Sequence, residues 1–382
     1  MKVTKTIFLF ILLGISTQLR GSFYYRPIGA VIGNTNLVVT AHVMSIETIE
    51  NQKYACAEPL RLLYGDWNMD STMFLPVRER PDSGIISSAD YEVLYDSNTT
   101  YLLLLKNKNN HITLADYPWM TQFKLDSTNM SFVDDMQELL RIESIIDTTE
   151  KIHSYIELLK SPYIDIRESI AWKFHHFKCQ EALYGLQIAV KDTAFNVVAY
   201  ALSGFFQLGK KGVTSPQSVS FIESLLVYQQ LTTSLYLAYA AQKGENAIPL
   251  LHNHFWTPSV DKGSVLNALT FLQDTTALRL FEELIYPKPW DTPKYSVLQL
   301  LLIPDTLAIP FPDSAVITWA MSALSDTNES IQETAIELLE RKTGMDFGYA
   351  RGLPKERAKQ QKKIIEKWQK WHKKWLEDRK KE

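Results

Sequence analysis

Cysteine is almost absent: the 382-residue chain has two, Cys56 and Cys179. Two thiols can make neither a cysteine-rich zinc module nor a disulfide scaffold. They are expected as unpaired small hydrophobes, with a Cys56 to Cys179 bridge as the alternative in an oxidising compartment. Only 15 glycines and 16 prolines are present, too few for a long disordered segment. There is no glycine-rich phosphate cradle, and no apolar run is long enough to cross a bilayer as a helix. Strong net charge is also missing, since 40 Lys and Arg face 43 Asp and Glu for a balance of −3. The balance hides an asymmetry, because Lys355 to Glu382 holds twelve basic and five acidic residues, +7, leaving −10 on the rest.

What is present predicts a folded chain of more than one part. Apolar residues make up 46%, and the length exceeds a typical single core, so two units or one elongated array are expected. Lys2 and Lys5 precede a short apolar run from Thr6 to Ile15, with Gly14 and Ser16 as small residues. That pattern predicts a signal peptide over residues 1–22 and an exported protein, periplasmic or extracellular, soluble once the leader is removed. No cysteine follows the apolar run to accept a lipid.

Residues 23–133 have a β pattern. Short β-rich runs occur at Leu37 to Val43, Tyr54 to Leu63, Met73 to Val77, Tyr91 to Leu94, Tyr101 to Leu105 and His111 to Leu114. Turn-forming stretches such as Arg80 to Gly84 and Asp96 to Thr100 separate them. Five or six strands in this length predict a small antiparallel barrel or sandwich. The order, with a second strand closing on Leu63-Tyr64-Gly65-Asp66 and a late strand Tyr101 to Lys106, is similar to the netrin-like, oligonucleotide-fold-like barrel that precedes helical repeats in some secreted bacterial proteins. The cysteine framework of the animal netrin modules is missing.

Over 134–352 apolar residues recur at helical spacing. The clearest faces are Ile166, Ile170, Phe174 and Phe177, then Leu183, Leu186 and Val190, then Val198, Ala201, Leu202 and Phe205. Asp165 and Asp192 open two of these segments 27 residues apart, a period that fits repeated helical hairpins. The Asp165-Ile166-Arg167-Glu168-Ser169-Ile170 form, repeated loosely from Asp192 and again from Asp326, resembles a HEAT-repeat array of the short-repeat kind. Such a resemblance implies an α-solenoid. Asp165, Arg167 and Asp192 are read as capping and inter-repeat residues, since a carboxylate accepts from free amides in a first helical turn. Six prolines from Pro287 to Pro312 interrupt the pattern, by a bend or by the meeting of two arrays.

Residues 353–382 predict a basic helix. Ile364, Trp368, Trp371 and Trp375 form one stripe. With the loop Gly344 to Tyr349 before it, this segment resembles the tryptophan-bearing end that follows the last repeat in many secreted bacterial HEAT-like proteins. The stripe is expected to dock on the last hairpin and cap the array; as the alternative, Trp368, Trp371 and Trp375 with their lysines form a surface for an anionic envelope.

Three constellations invite a catalytic or metal reading and fail on sequence grounds. Leu37 to His42 looks like the strand that presents a protease histidine, and Asp82-Ser83-Gly84 follows, yet 41 residues between His42 and Ser83 are too few for that scaffold. His252 and His254 would share a face only on a strand, whereas their surroundings read as a helix end. His175 and His176 are expected to point apart on a helix. No catalytic residue, cofactor or metal is therefore assigned, and no nucleic acid partner is expected. The expected function is a non-catalytic scaffold that presents helical repeats to a protein or peptide, with two alternatives: a hydrolase using His42, Asp66 or His111 between the β domain and the first repeats, or envelope attachment through the tail.

Overall fold

In a computed structural model of the protein, the described residues are 27–77, 93–108, 111–115, 121–228, 233–258, 260–285, 312–326, 328–348 and 354–379. The expected leader 1–22, the expected turn at Asp82-Ser83-Gly84, the prolines from Pro287 to Pro310 and Tyr349 lie outside them. The chain divides into two compact units, Met1–His176 with Lys191–Tyr200 and Phe177–Val190 with Ala201–Glu382.

The first unit opens with a short helix, α1 (Ile28–Ile32), where the sequence pattern predicts part of a β domain. Six strands follow: β1 (Leu37–Ile49), β2 (Gln52–Tyr64), β3 (Met73–Pro76), β4 (Thr99–Lys108), β5 (His111–Leu114) and β6 (Gln122–Leu125). They make one antiparallel sheet in the order β3-β2-β1-β4-β5, with β6 also on β4. β5 pairs with Leu105 to Lys108 and β6 with Thr100 to Leu103, while β1 holds the other edge of β4. The sheet is not closed, so the predicted barrel or sandwich is corrected to a single open sheet.

The long β1 and β2 are joined at Glu50 and Asn51, both at positive φ (49° and 65°), a two-residue turn whose twist matches that of the strands. Leu37, Val39, Ala41 and Val43 of β1, Ala55 and Ala57 of β2, Met73 and Leu75 of β3, and Tyr101, Leu103 and Leu105 of β4 form one core. The opposite face, with Val38, Thr40, Leu102 and Leu104, is buried as well. A strand covered on both sides needs a continuous apolar run rather than alternation, which is why Leu102 to Leu105 reads as four leucines.

Three helices complete the described part of this unit before His176: α2 (Ser131–Ser144), α3 (Thr148–Leu158) and α4 (Ile164–Lys173), followed by a 3₁₀ turn, Phe174–His176. α2 lies against β2, and Arg61 of β2 reaches Asp134 (3.1 Å) and Gln137. The change from strand to helix near residue 133 is thus not where the compact unit ends, because helix and sheet share contacts there. α1 docks on α4 through the Gly29 amide, which donates to Ser169 Oγ at 3.0 Å.

The second unit is helical. α5 (Gln180–Ala189) precedes α6 (Phe195–Lys210), which begins in the first unit. Then come α7 (Pro216–Tyr228), α8 (Thr233–Lys243), α9 (Ile248–Phe255), α10 (Lys262–Phe271), α11 (Leu278–Ile285), α12 (Asp313–Ala323), α13 (Glu329–Thr343) and α14 (Pro354–Arg379). Helices two places apart in the chain pack on each other, α5 on α7 and α8 on α10, and α12 packs with α13. Phe205, Tyr236, Tyr239, Phe255, Phe281 and Trp319 fill the interior. α13 ends at Gly344, whose φ of 70° lets its amide donate to Glu340 O at 2.9 Å and stops the helix.

Candidate functional site

The residues nominated from sequence fall into two settings: seams between helices, and the terminal helix. Arg167, on α4, makes the most charged of the seams. Its Nε and Nη2 donate to Asp192 Oδ2 and Oδ1 at 2.6 and 3.2 Å, and its Nη1 donates to Ser161 O at 2.8 Å. Both side chains of the pair are nearly buried. Burial pushes the Asp192 carboxyl up, but the Arg167 hydrogen bonds and the Ala194 amide, 2.7 Å from Oδ1, outweigh it and hold the group below the ordinary carboxylate range. Asp192 therefore both caps the start of α6 and ties it to α4. Asp165 sits two places further in than a cap: Tyr163 occupies the N-cap position of α4, and Asp165 lies in the first turn, where its charge faces the helix dipole.

Similar ties recur at related spacings. Ser161 Oγ donates to Asp135 Oδ2 at 2.5 Å, across 26 residues. Gln187 Nε2 donates to Ser218 Oγ at 3.3 Å and Thr233 Oγ1 pairs with Ser264 Oγ at 2.7 Å, each across 31 residues. Gln361 Nε2 donates to Gln332 Oε1 at 2.8 Å, across 29 residues. Backbone approach follows the same step, since a Cβ on Gly209 would stand 2.5 Å from Ala241 O.

The terminal helix divides its aromatic stripe. Gln361, Ile364 and Trp368 are buried, with the Trp368 ring edge-on to Phe347 at 4.6 Å. Beyond Trp368 the stripe continues through Trp371, His372 and Trp375, which are half-buried by one another. The Trp371 and Trp375 rings stack at 6.0 Å, His372 stacks on Trp375 at 5.5 Å, and the Arg379 guanidinium lies 4.9 Å over Trp375. Leu376 is 43% exposed. Lys362, Lys363, Lys367, Lys370, Lys373 and Lys374 are all exposed. A shallow groove of about 360 Å³ between α13 and α14 is lined by Glu329, Gln332, Gln361, Lys362, Ile365, Glu366 and Gln369, a wall with one apolar side chain.

The catalytic candidates do not converge. His42 Nδ1 lies 3.2 Å from Thr100 Oγ1, its cross-strand neighbour. Asp66 is exposed past the end of β2 that pairs with Val38, whereas His42 pairs with Glu58. The side chain of His111 is outside the described residues. Contrary to expectation, the His175 and His176 rings lie together, 3.9 Å apart and both against Trp172, because α4 has already tightened into a 3₁₀ turn. Among the described residues no group of three or more His, Cys, Asp or Glu is placed to hold a metal ion. Cys56 and Cys179 are free thiols, and burial raises both pKa values.

One pair was missed in the sequence. His252 Nε2 meets Asp274 Oδ2 at 2.6 Å, and Asp274 is only 5% exposed. Asp274 caps the turn Thr275–Ala277 by accepting from the Thr276 amide at 3.0 Å; the Asp274-Thr275-Thr276 string is the signal that could have marked it. Burial pushes this carboxyl up, but His252 and Thr276 together hold it below its ordinary range. Thr276 Oγ1 approaches the same His252 Nε2 at 3.3 Å. With acid and hydroxyl on one ring nitrogen, the arrangement that activates a nucleophile through the opposite nitrogen is not made. Its neighbour His254 turns to Tyr236 OH at 3.3 Å, and burial lowers its pKa. Among the described residues no helix is long and apolar enough to cross a membrane. No protein-family model matches the chain, and no curated protein is similar to it.

Proposed function

We propose that this chain is an exported, non-catalytic scaffold whose HEAT-like helical hairpins present a surface to a protein or peptide partner. The observation that carries this reading is the recurring polar seam. Ser161 to Asp135, Arg167 to Asp192, Gln187 to Ser218, Thr233 to Ser264 and Gln361 to Gln332 join segments 25 to 31 residues apart. In a solenoid each hairpin touches only its neighbours, so ties at a near-constant step are what stacking requires. The nominated Arg167 and Asp192 are consumed by those ties, which leaves recognition to exposed side chains. Tyr184, 60% exposed, and Trp256, 56% exposed beside Lys262, have the character of interface anchors.

Photoreactive residues placed at Tyr184 and Trp256 in the exported protein test this. One protein partner captured from these positions, and released when Tyr184 and Trp256 are replaced by alanine, is expected. A positive turnover screen with no captured partner would overturn the reading.

A further inference from the structure

Among the described residues, the first half of the α14 stripe packs on other elements, whereas the rings of the second half contact one another, Trp368 and Arg379, and this second half carries its own chemistry. Gln361, Ile364 and Trp368 are spent on docking, the first through hydrogen bonds to Gln332 and to Glu329 O. At 3.6 residues per turn, Trp371, His372, Trp375, Leu376 and Arg379 continue the same face. Lys374 falls on one flank of that face and Lys373 on the other, with Lys370 behind. The ring contacts of Trp371 and Trp375 are with each other, with Trp368 and His372, and with the Arg379 guanidinium.

We propose that the last two turns of α14, residues 371–379, dock on an anionic lipid surface, with Trp371, Trp375 and Leu376 entering the interface and the flanking lysines meeting lipid phosphates. Charge complementarity selects the occupant. The segment Lys355 to Glu382 carries +7 on a chain whose remainder is −10, so an anionic surface attracts this end and repels the rest. Indole rings favour the headgroup boundary, and lysine stems extend along the apolar face while their ammonium groups stay in water. A single-stranded nucleic acid would need separated rings for its bases to stack on. Here the Trp371, His372 and Trp375 rings are stacked with one another, at 6.5 Å and 5.5 Å between successive ring centroids. This proposal does not depend on the partner proposed for the hairpins.

The test is flotation of the full chain with phosphatidylcholine vesicles that contain about a quarter phosphatidylglycerol, beside pure phosphatidylcholine vesicles. Comparison within the full chain makes any contribution of residues 1–22 common to every sample. Wild type is expected to float with the anionic vesicles only, and to lose most binding as salt rises from about 50 mM to about 500 mM. Trp371→Ser combined with Trp375→Ser and Leu376→Ser should weaken partitioning roughly tenfold or more, and so should Lys373→Glu combined with Lys374→Glu. The lysine pair is exposed, so it keeps the test valid should the first variant fail to fold. Equal partitioning of wild type and the lysine variant, or equal binding to neutral vesicles, overturns the proposal. So does a wild-type dimer, or a nucleic acid complex, that these substitutions dissolve while vesicle binding is absent.

Discussion

The seams between helices and the far end of α14 are built from the same kinds of residue and do opposite things. Trp368 and Trp375 stand seven residues apart on one helical stripe. Trp368 is fully buried beside Phe347, whereas Trp375 is half-buried by its own neighbours and covered by Arg379. Charged residues divide in the same way: Arg167 is locked to Asp192 in a seam, while Lys373 and Lys374 stand in water. A periodic stripe records which side of a helix is apolar. Whether that side is structural or available depends on how far the neighbouring element reaches, and among the described residues of the stripe Trp368 is the last one fully buried.

The largest effects should come from breaking seams. Asp192→Ala leaves the Arg167 guanidinium nearly buried without its carboxylate and removes the cap on the Ala194 amide, so it should cost about 3–5 kcal/mol. Trp368→Ala empties a fully buried indole site and should cost about 3–5 kcal/mol. Urea denaturation of each variant measures this, and a loss below that of an ordinary surface substitution at either position would remove the distinction between seam and free end.

A smaller loss is expected from crowding a seam. A Cβ on Gly209 would stand 2.5 Å from Ala241 O and 2.6 Å from its carbonyl carbon, both backbone atoms that cannot swing aside. Gly209→Ala should therefore cost about 1–3 kcal/mol, against a gain if the site were an ordinary exposed helix position. Thermal melting decides the sign.

Acid should expose the charged seam next. The folded Asp192 and Asp274 carboxyls lie below the ordinary carboxylate range, so within that range the unfolded chain binds more protons than the folded one. Their contribution is complete above the unfolded value and is lost as pH falls through the folded one. Stability should drop below about pH 4, and the drop should be shallower in Asp192→Asn, which has no proton to take up there. An unchanged slope between pH 5 and pH 2, read from denaturation midpoints, would show that the Arg167 pair does not set the acid response.

Much of this organisation was legible from residues. The paired aspartates marked α4 and α6, Gly344 marked the end of α13, and the leucine run marked β4. Each miss has a physical cause. Ile28 to Ile32 is apolar throughout and short, so periodicity could not separate helix from strand, and what decides is docking on Ser169. β6 is four residues long and needs β4 to exist. Asp274 is one acidic residue in a polar string, and its role depends on His252 arriving 22 residues earlier in the chain. Asp165 has the sequence position of a cap because it precedes an apolar face, yet α4 starts at Ile164, two positions sooner than such a cap requires. The first three misses are cases where a long-range partner, rather than local propensity, sets the outcome.

The smallest effect should fall on the free end, and it sharpens the comparison most. Trp375→Ala and Leu376→Ala each remove a large apolar side chain from the same helix that carries Trp368. Burial alone predicts different fates: Leu376 is 43% exposed and Trp375 rests on Trp371, His372 and Arg379, residues of its own last turns. Losing such contacts frays a helix end without opening the α13 docking, so each variant should lie within about 1 kcal/mol of wild type. Hydrogen exchange should then report faster amides from residue 371 onward with unchanged protection at Ile364 and Trp368. Equal acceleration along both halves would mean that α14 behaves as one cooperative element whose far end supports its near end, and that the aromatic stack at 371–376 belongs to the seam.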